Sequence, residues 1–420
     1  MGFKNHSFLK SFSAIALVFS SLSQTYAQSS SGQTAEDQFE RIGLNTITTA
    51  VPFLLITPDS RGGAMGDVGV ATSPDAMSAF WNTSKAAFVE EELGIAVSYV
   101  PWLKAVVPDI YLGYLSGYKK ISDKGTVTGS LRYFSLGEIN FTDEVGNPIQ
   151  NVNPNELAVD MGYAHKLSEK LAGGFALRYV HSNLTQGVSV GGVDAKPARA
   201  FAADLNIYYQ SELEIAKKDA VFSFGLNLQN IGNRVSYSES ADKDFIPINM
   251  KLGSGLLFKI DEYNEFGVYL DINKLLVPTP PLYAKDSALN LEIDANGDPV
   301  IEAGKNPDVA VATGMLQSFY DAPGGASEEF QEYNWSIGLE YWYDRQFAVR
   351  AGYFYENPNK GNRQYFTMGV GIKYQIFNLD FSYLVVPSQQ RSPLENTLRF
   401  TLAFDLGGKS DKNKKPETTE

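Results

Sequence analysis

The chain has 420 residues and a formal charge of −13, from 35 basic against 48 acidic side chains, and it contains no cysteine. A polyanion without clustered Lys and Arg does not suit a nucleic-acid backbone, and the missing thiols exclude disulfides, thiolate metal sites, a Cys nucleophile and a lipid anchored on an N-terminal Cys. Glycine (37), tyrosine (23) and phenylalanine (26) are plentiful without a long apolar run, a composition that suits β-structure.

The first predicted element is an export signal over 1–27. Lys4 and Lys10 form a basic start, Phe12–Leu22 an apolar core, and Thr25 and Ala27 the small residues for cleavage before Gln28. A core of about eleven residues is too short for a bilayer, which needs ~20. Beyond Gln28 no stretch approaches the length of a spanning helix, so the exported chain is either soluble or a β-barrel.

Residues 28–92 are too polar and Gly-rich for membrane strands. Ser73-Pro74-Asp75 supplies the N-cap, N1 and N2 chemistry of a short helix running through Phe80-Trp81. With Arg61-Gly62-Gly63-Ala64-Met65-Gly66, that aromatic pair predicts an ordered plug filling a lumen from the periplasmic side, rather than a flexible arm.

Alternation then predicts fourteen strands: 93–100, 109–118, 126–135, 156–165, 171–180, 199–210, 221–230, 248–260, 264–273, 333–342, 346–355, 365–374, 377–385 and 396–405. Most approach the ~9–11 residues of a tilted membrane strand. In 365–374, Phe366, Met368, Val370 and Ile372 share one face, and Thr367, Gly369 and Gly371 the other. The links after odd strands have about 8, 20, 18, 17, 59, 9 and 10 residues, and those after even strands about 7, 5, 10, 3, 3 and 2. An even count with every long link at one end is the signature of an outer-membrane barrel with short periplasmic turns, external loops and both termini periplasmic; a soluble sandwich has no reason for it. The fold class is therefore an all-β transmembrane antiparallel barrel, 93–405, followed by a periplasmic tail, 406–420.

Aromatics near strand ends, among them Tyr99, Trp102, Tyr118, Tyr133, Tyr179, Tyr343 and Tyr353, fit an interfacial girdle. Asp160, Arg178 and Asp204 fall on the small-residue faces of successive strands, as do Glu340, Arg350 and Lys373. Facing lipid they would cost ~2–4 kcal/mol each, so they are expected inside, as a self-neutralising ladder rather than a selectivity lining.

The link 274–332 holds ten acids and three Lys. Asn306-Pro307-Asp308 suits a helix start. Val309, Ala312, Met315, Leu316 and Phe319 then make one apolar stripe, ended by Pro323-Gly324-Gly325. The stripe is a candidate partner-binding surface; the plainer reading packs it on the barrel rim.

Signals for enzyme chemistry are thin. Gly187-Val188-Ser189-Val190-Gly191 matches a nucleophile elbow, with His181 nearby, but lacks the strand–turn–helix setting and an acid. Asp294-Ala295-Asn296-Gly297-Asp298 has acidic spacing like a calcium loop, but Pro299 and the missing bidentate Glu favour a turn. No catalytic residue, cofactor or metal site is assigned.

Longer blocks carry a resemblance. Asn45-Thr-Ile-Thr-Thr-Ala-Val-Pro-Phe53, Thr57-Pro-Asp-Ser-Arg-Gly-Gly-Ala-Met-Gly-Asp67 and Gly69-Val-Ala-Thr-Ser-Pro-Asp75 closely resemble the PorV family of the type IX secretion system of Bacteroidota. So do Leu131-Arg-Tyr-Phe-Ser-Leu-Gly137, Ala202-Ala-Asp204 and Asp321-Ala-Pro-Gly-Gly325. Where the family often reads Asn-Pro-Ala, this chain has Asn82-Thr83-Ser84. The resemblance implies a fourteen-stranded outer-membrane barrel similar to fatty-acid channels of the FadL type. It also implies a role in taking cargo with a C-terminal signal domain from the translocon to a surface sortase complex, which attaches it to lipopolysaccharide. A FadL-like channel for hydrophobic compounds, or a lipid A deacylase using Ser189, are the competing functions.

Overall fold

A computed structural model of the chain describes residues 45–103, 109–142, 148–187, 195–238, 243–285, 292–387, 394 and 397–407. The expected signal segment 1–27, the tail from 408 and Ser189 lie outside the described residues.

Fourteen antiparallel strands close into a barrel. They are β1 (Leu93–Pro101), β2 (Tyr111–Lys120), β3 (Gly125–Ser135), β6 (Asn155–Lys166), β7 (Leu171–Asn183), β8 (Ala198–Ile215), β9 (Lys218–Gly232), β10 (Asn249–Lys259), β11 (Asn264–Leu275), β14 (Asn334–Tyr343), β15 (Phe347–Tyr355), β16 (Gln364–Tyr374), β17 (Phe377–Val385) and β18 (Leu398–Leu406). Two small hairpins decorate the long links: β4 (Ile139–Thr142) with β5 (Pro148–Val152), and β12 (Leu282–Tyr283) with β13 (Ile301–Ala303). Neighbouring strands pair in sequence order, and β1 closes on β18 with Leu93 opposite Leu406. Closure leaves no sheet edge along the wall.

Period 2 sorts each strand into an apolar outer face and a polar or small inner face. Ile95, Val97, Met161, Leu177, Phe201, Met368 and Phe400 are exposed outward, whereas Ser98, Ser130, Arg178, Asp204, Thr367 and Arg399 are buried. A continuous apolar outer wall is what a bilayer solvates, and no helix among the described residues is long and apolar enough to cross one. Tilted ring contacts run Tyr99–Tyr111–Tyr133 at one end, with centroids 5.6 and 6.2 Å apart, and Tyr263 meets Tyr343 at 6.5 Å at the other. Tyr118 departs from the girdle expected of it. It shares the inward phase of Tyr114 and Ser116, is buried, and lies against Gly94, where a Cβ would come within 2.3 Å of its ring.

Links 121–124, 167–170, 216–217, 260–263, 344–346 and 375–376 lie at one end, the short-turn end, and the long links at the other. Residues 45–92 run between these ends, inside the wall. Asn45 Nδ2 donates to Pro280 O and to Glu328 Oε1, both 3.0 Å away in the link 276–333, whereas Lys120 N reaches Glu92 O at the opposite end. The plug therefore traverses the whole lumen from the long-link mouth, instead of entering it from the short-turn side. Asn45 and Leu406 lie at opposite ends of the barrel, and the termini, expected together on the periplasmic side, are outside the described residues.

Candidate functional site

The lumen is the most elaborated part of the molecule, and the plug is built around a single guanidinium. Asp59 caps helix α1 (Ser60–Gly63), accepting from Arg61 N at 2.9 Å and Gly62 N at 3.0 Å. That short turn aims Arg61 across the lumen. Its Nε and Nη2 fork onto Glu340 at 2.9 and 2.8 Å, its Nη1 reaches Asp75 at 2.9 Å and Ser73 O at 3.2 Å, and Nη2 also reaches Ser73 Oγ at 2.7 Å. Glu340 in turn accepts from Arg350 Nε at 2.8 Å, and Arg350 Nη1 reaches Asp380 at 2.5 Å. The chain Asp75–Arg61–Glu340–Arg350–Asp380 thus ties the plug to β14, β15 and β17. Bidentate pairs of this kind fix geometry as well as charge.

Around that hub the plug's backbone is held by inward side chains from most of the wall. Thr401 Oγ1 accepts from Ser60 N, Thr367 Oγ1 from Gly66 N, and Asp271 Oδ2 from Gly69 N and Val70 N. Ser223, Ser116, Gln229 and Asn227 donate to the carbonyls of Ala71, Ala76, Phe80 and Trp81 at 2.6 to 2.7 Å. A 3-10 turn over Thr83–Phe88 packs beneath the strands, with Ser84 so close to Gly174 that a Cβ there would lie 2.9 Å from its N. Trp81 is buried, donates to Asp59 at 2.8 Å and covers Gly62 and Gly69. Helix α2 (Ser78–Trp81) starts later than Ser73 predicts. Its N-cap is Met77, with no side-chain cap; Asp75 Oδ1 accepts from Met77 N at 3.0 Å just before the helix, and Ser73 Oγ accepts from Arg61 instead.

Asp160, Arg178 and Asp204 also come together in the wall. Arg178 Nε is 2.5 Å from Asp160, and Nη2 is 3.1 Å from Asp204. A bulge between β8 and β9 brings Asn230, at φ 60°, into the same group. Its N donates to Asp204 at 2.8 Å, and its side-chain oxygen accepts from Arg178. Lys373 pairs with Asp405 at 2.8 Å.

The long-link mouth is closed by an apolar cluster that includes Phe53, Leu54, Phe134, Val180, Phe245, Ile246 and Val277. Above it, the predicted helix begins at Val311 rather than at Asn306. Asn306 Oδ1 instead accepts from Asp308 N at 2.8 Å in a local turn, and Asp308 pairs with Arg234. Helix α3 (Val311–Gln317) is short, and the predicted stripe divides. Val309 and Met315 pack on the apolar cluster, while Ala312, Leu316 and Phe319 are exposed. Tyr320 and Phe330 are exposed as well, Phe330 77% and Leu316 68% accessible, while Lys305 lies over the Tyr320 ring at 3.6 Å and Phe330 meets Tyr333.

A second helix, α4 (Ala326–Gln331), was not legible in advance and carries the mouth's ionic knot. Lys274, fully buried, reaches Glu329 at 3.2 Å and Glu332 at 2.6 Å; Lys360 reaches Glu328 at 2.5 Å and Glu332 at 3.0 Å. These pairs neutralise three of the link's ten acids. Burial works to raise the Glu328 carboxyl, but its Lys360 and Gly324 N–H partners outweigh it and hold it below its ordinary value. Nearby, burial pushes Asp321 up to about 6, against the Thr279 N–H and with the help of Glu329 and Glu332. The Asp294–Asp298 segment is a turn, Asp294 Oδ1 accepting from Asn296 N at 2.8 Å and Asp298 N at 3.0 Å.

A family profile described as "Type IX secretion system protein PorV" matches residues 38–282. No curated protein sequence matches the chain. Among solved structures, the Ralstonia pickettii toluene transporter TbuX is 12% identical, covering 83% of this chain and 97% of its own, with a TM-score of 0.45. The Pseudomonas putida toluene transporter TodX is 14% identical over 81% and 95%, with 0.43. A Pseudomonas aeruginosa FadL homologue is 9% identical over 83% and 98%, with 0.41.

Proposed function

The chain belongs to the PorV family of type IX secretion system proteins, and on that premise we propose that it receives secreted proteins bearing a C-terminal signal domain from the outer-membrane translocon and presents them to a surface sortase complex. The long links face outward in this reading, the short turns face the periplasm, and the wall faces lipid and lipopolysaccharide. The observation that carries the reading is where the molecule is finished and where it is not. The lumen is filled by a plug bonded to most of the wall, whereas the 276–333 link keeps Leu316, Phe319, Tyr320 and Phe330 largely accessible, with lysines over the Phe319 and Tyr320 rings. Exposed aromatic side chains on a folded support are the usual anchors of a protein partner. The role is one of binding and handover, with no bond made or broken by this chain.

Passage of hydrophobic compounds would require the plug to leave contacts that include a buried five-member ion chain, which makes the channel reading the weaker one. Mass spectrometry of what co-purifies from mild detergent separates the two. The expected companions are translocon and sortase components and proteins sharing a C-terminal domain. A protein that purifies alone and takes up hydrophobic compounds in liposomes is a channel.

A further inference from the structure

We propose that the outward face of β7 and β8 at the long-link end is a lipid-phosphate site, in which Arg199 and His181 hold a phosphate of lipid A while its acyl chains lie on the apolar wall below. The choice of lipid A rests on the reading above that the long links face outside, where the leaflet is lipopolysaccharide. The site itself rests on the geometry of the wall.

Alternation puts both side chains outside the barrel. Ala198, Ala200 and Ala202 are buried on the inner face of β8, so Arg199 and Phe201 point out. Val180 and Ser182 are buried on β7, so Tyr179 and His181 point out. His181 lies directly opposite Arg199, and Tyr179 opposite Phe201. Facing residues on one side of a sheet hold their Cβ atoms about 5 Å apart. The Tyr179 and Phe201 rings meet at 5.2 Å. Next along β8, Ala203 is too small to cover its flanks and leaves Phe201 70% and Leu205 53% accessible. Toward the long links the wall therefore passes from apolar to aromatic to cationic. The backbone beneath is fixed by Asn233. Phe201 N donates to Asn233 Oδ1 at 2.8 Å, Asn233 N to Phe201 O at 3.3 Å, and Asn233 Nδ2 to Arg199 O at 3.4 Å.

Charge selects the ligand. Arg199 is exposed, and among the described residues no carboxylate pairs with it or with His181. Other basic side chains of the strands in this half of the wall are engaged. Arg178 and Lys274 are buried in ion pairs, and Arg132 and Lys251 are buried over the Phe80 ring. An unpaired guanidinium at the edge of the hydrocarbon attracts headgroup oxygens, and its planar fork matches the geometry of a phosphate. His181 sets a ring beside it on the same face. A phosphorylated glycolipid meets both halves of the site, with anionic oxygens at the pair and chains on Phe201 and Leu205. Free phosphate meets only the first.

Native mass spectrometry of the full-length protein in detergent micelles reads the lipid retained, whichever way the barrel sits in its membrane. Bis-phosphorylated lipid A is expected to be retained, and its dephosphorylated form to bind at least about tenfold less, the scale of one charge-assisted hydrogen bond. Arg199→Gln should weaken retention of the phosphorylated lipid by a similar factor, and His181→Gln by less. Lys119→Gln, which removes an exposed outward cation at the short-turn end, should change nothing. Equal retention of the dephosphorylated lipid, or an equal loss in Lys119→Gln, overturns the proposal. So does displacement of lipid A by millimolar inorganic phosphate, since the ligand is then the free ion. Tighter retention of phosphatidylglycerol than of lipid A overturns it as well, by assigning the site to a glycerophospholipid. Inverted epitope labelling on intact cells is a failure of the orientation alone, because the micelle result does not depend on it.

Discussion

At the scale of single residues, the plug stands on a few side chains whose removal leaves charge stranded. Glu340 is the shared acceptor of Arg61 and Arg350, all three buried. Breaking a buried pair from one side costs ~3–5 kcal/mol, because the other charge stays desolvated. Glu340→Ala should therefore lower the temperature of heat-modifiable unfolding sharply and expose 45–92 to protease; an unchanged temperature would mean the network contributes nothing. Gly69 has a different vulnerability, since a Cβ there would sit 2.0 Å from Trp81 Cδ2 while Trp81 is held by Asp59. Gly69→Ala should cost ~1–3 kcal/mol through overpacking, read by the same protease assay. Asp321 makes the mouth pH-sensitive. Its folded pKa, raised to about 6 against an ordinary 3.8, means the folded state holds a proton that the unfolded chain has already lost. The associated stability is present below about pH 4 and is lost as pH rises through about 6. Asp321→Asn should flatten that part of the pH dependence of hydrogen exchange in 276–333, and a variant that keeps the wild-type slope assigns it elsewhere.

At the scale of elements, α3 shows how a stripe that is uniform by spacing becomes two surfaces. Met315 faces the cluster of Phe245 and Val277, and Leu316, one residue on, faces out. A helix of seven residues turns too few side chains toward the barrel to bury a whole stripe, and α4 occupies the rest of the mouth. Met315→Ser should destabilise the link, by ~2 kcal/mol or more, with little direct effect on partners. Leu316→Ser with Phe330→Ser should leave heat-modifiable folding unchanged and reduce recovery of cargo or translocon. Co-purification that survives the second pair moves the docking surface to the links 136–154 and 184–197.

At the scale of the whole molecule, the separation of long and short links predicts a sided barrel. An epitope inserted near Gly297 should be labelled on intact cells and one at Glu262 should not; the reverse result inverts the molecule. The plug adds that the chain enters the lumen at the long-link mouth and leaves it at Glu92 to begin β1. The N-terminal stretch of the folded unit is thereby fastened at both ends of the barrel, by Asn45 to the long link and by the Thr83–Phe88 turn beneath β6 to β8.

Strand number, phase and link asymmetry were legible because they are local. Side-chain alternation repeats every two residues, and Phe366 to Ile372 or Leu398 to Phe404 betray their outward face without reference to any other strand. The inward charges were legible for the same reason, as residues on the wrong face for lipid. What the chain alone left open depends on groups distant in sequence. Arg61 reads only as one member of a Gly-rich plug block until Glu340, 279 positions away, is brought to it across the lumen. Asn306-Pro307-Asp308 reads as a cap until Asp308 finds Arg234. Glu328, Glu329 and Glu332 read as a solvated acidic run until Lys274 and Lys360 are folded against them. Periodicity decides which way a side chain points; only barrel closure decides what it meets there, because desolvated charges are satisfied by partners that the register of fourteen strands brings within reach.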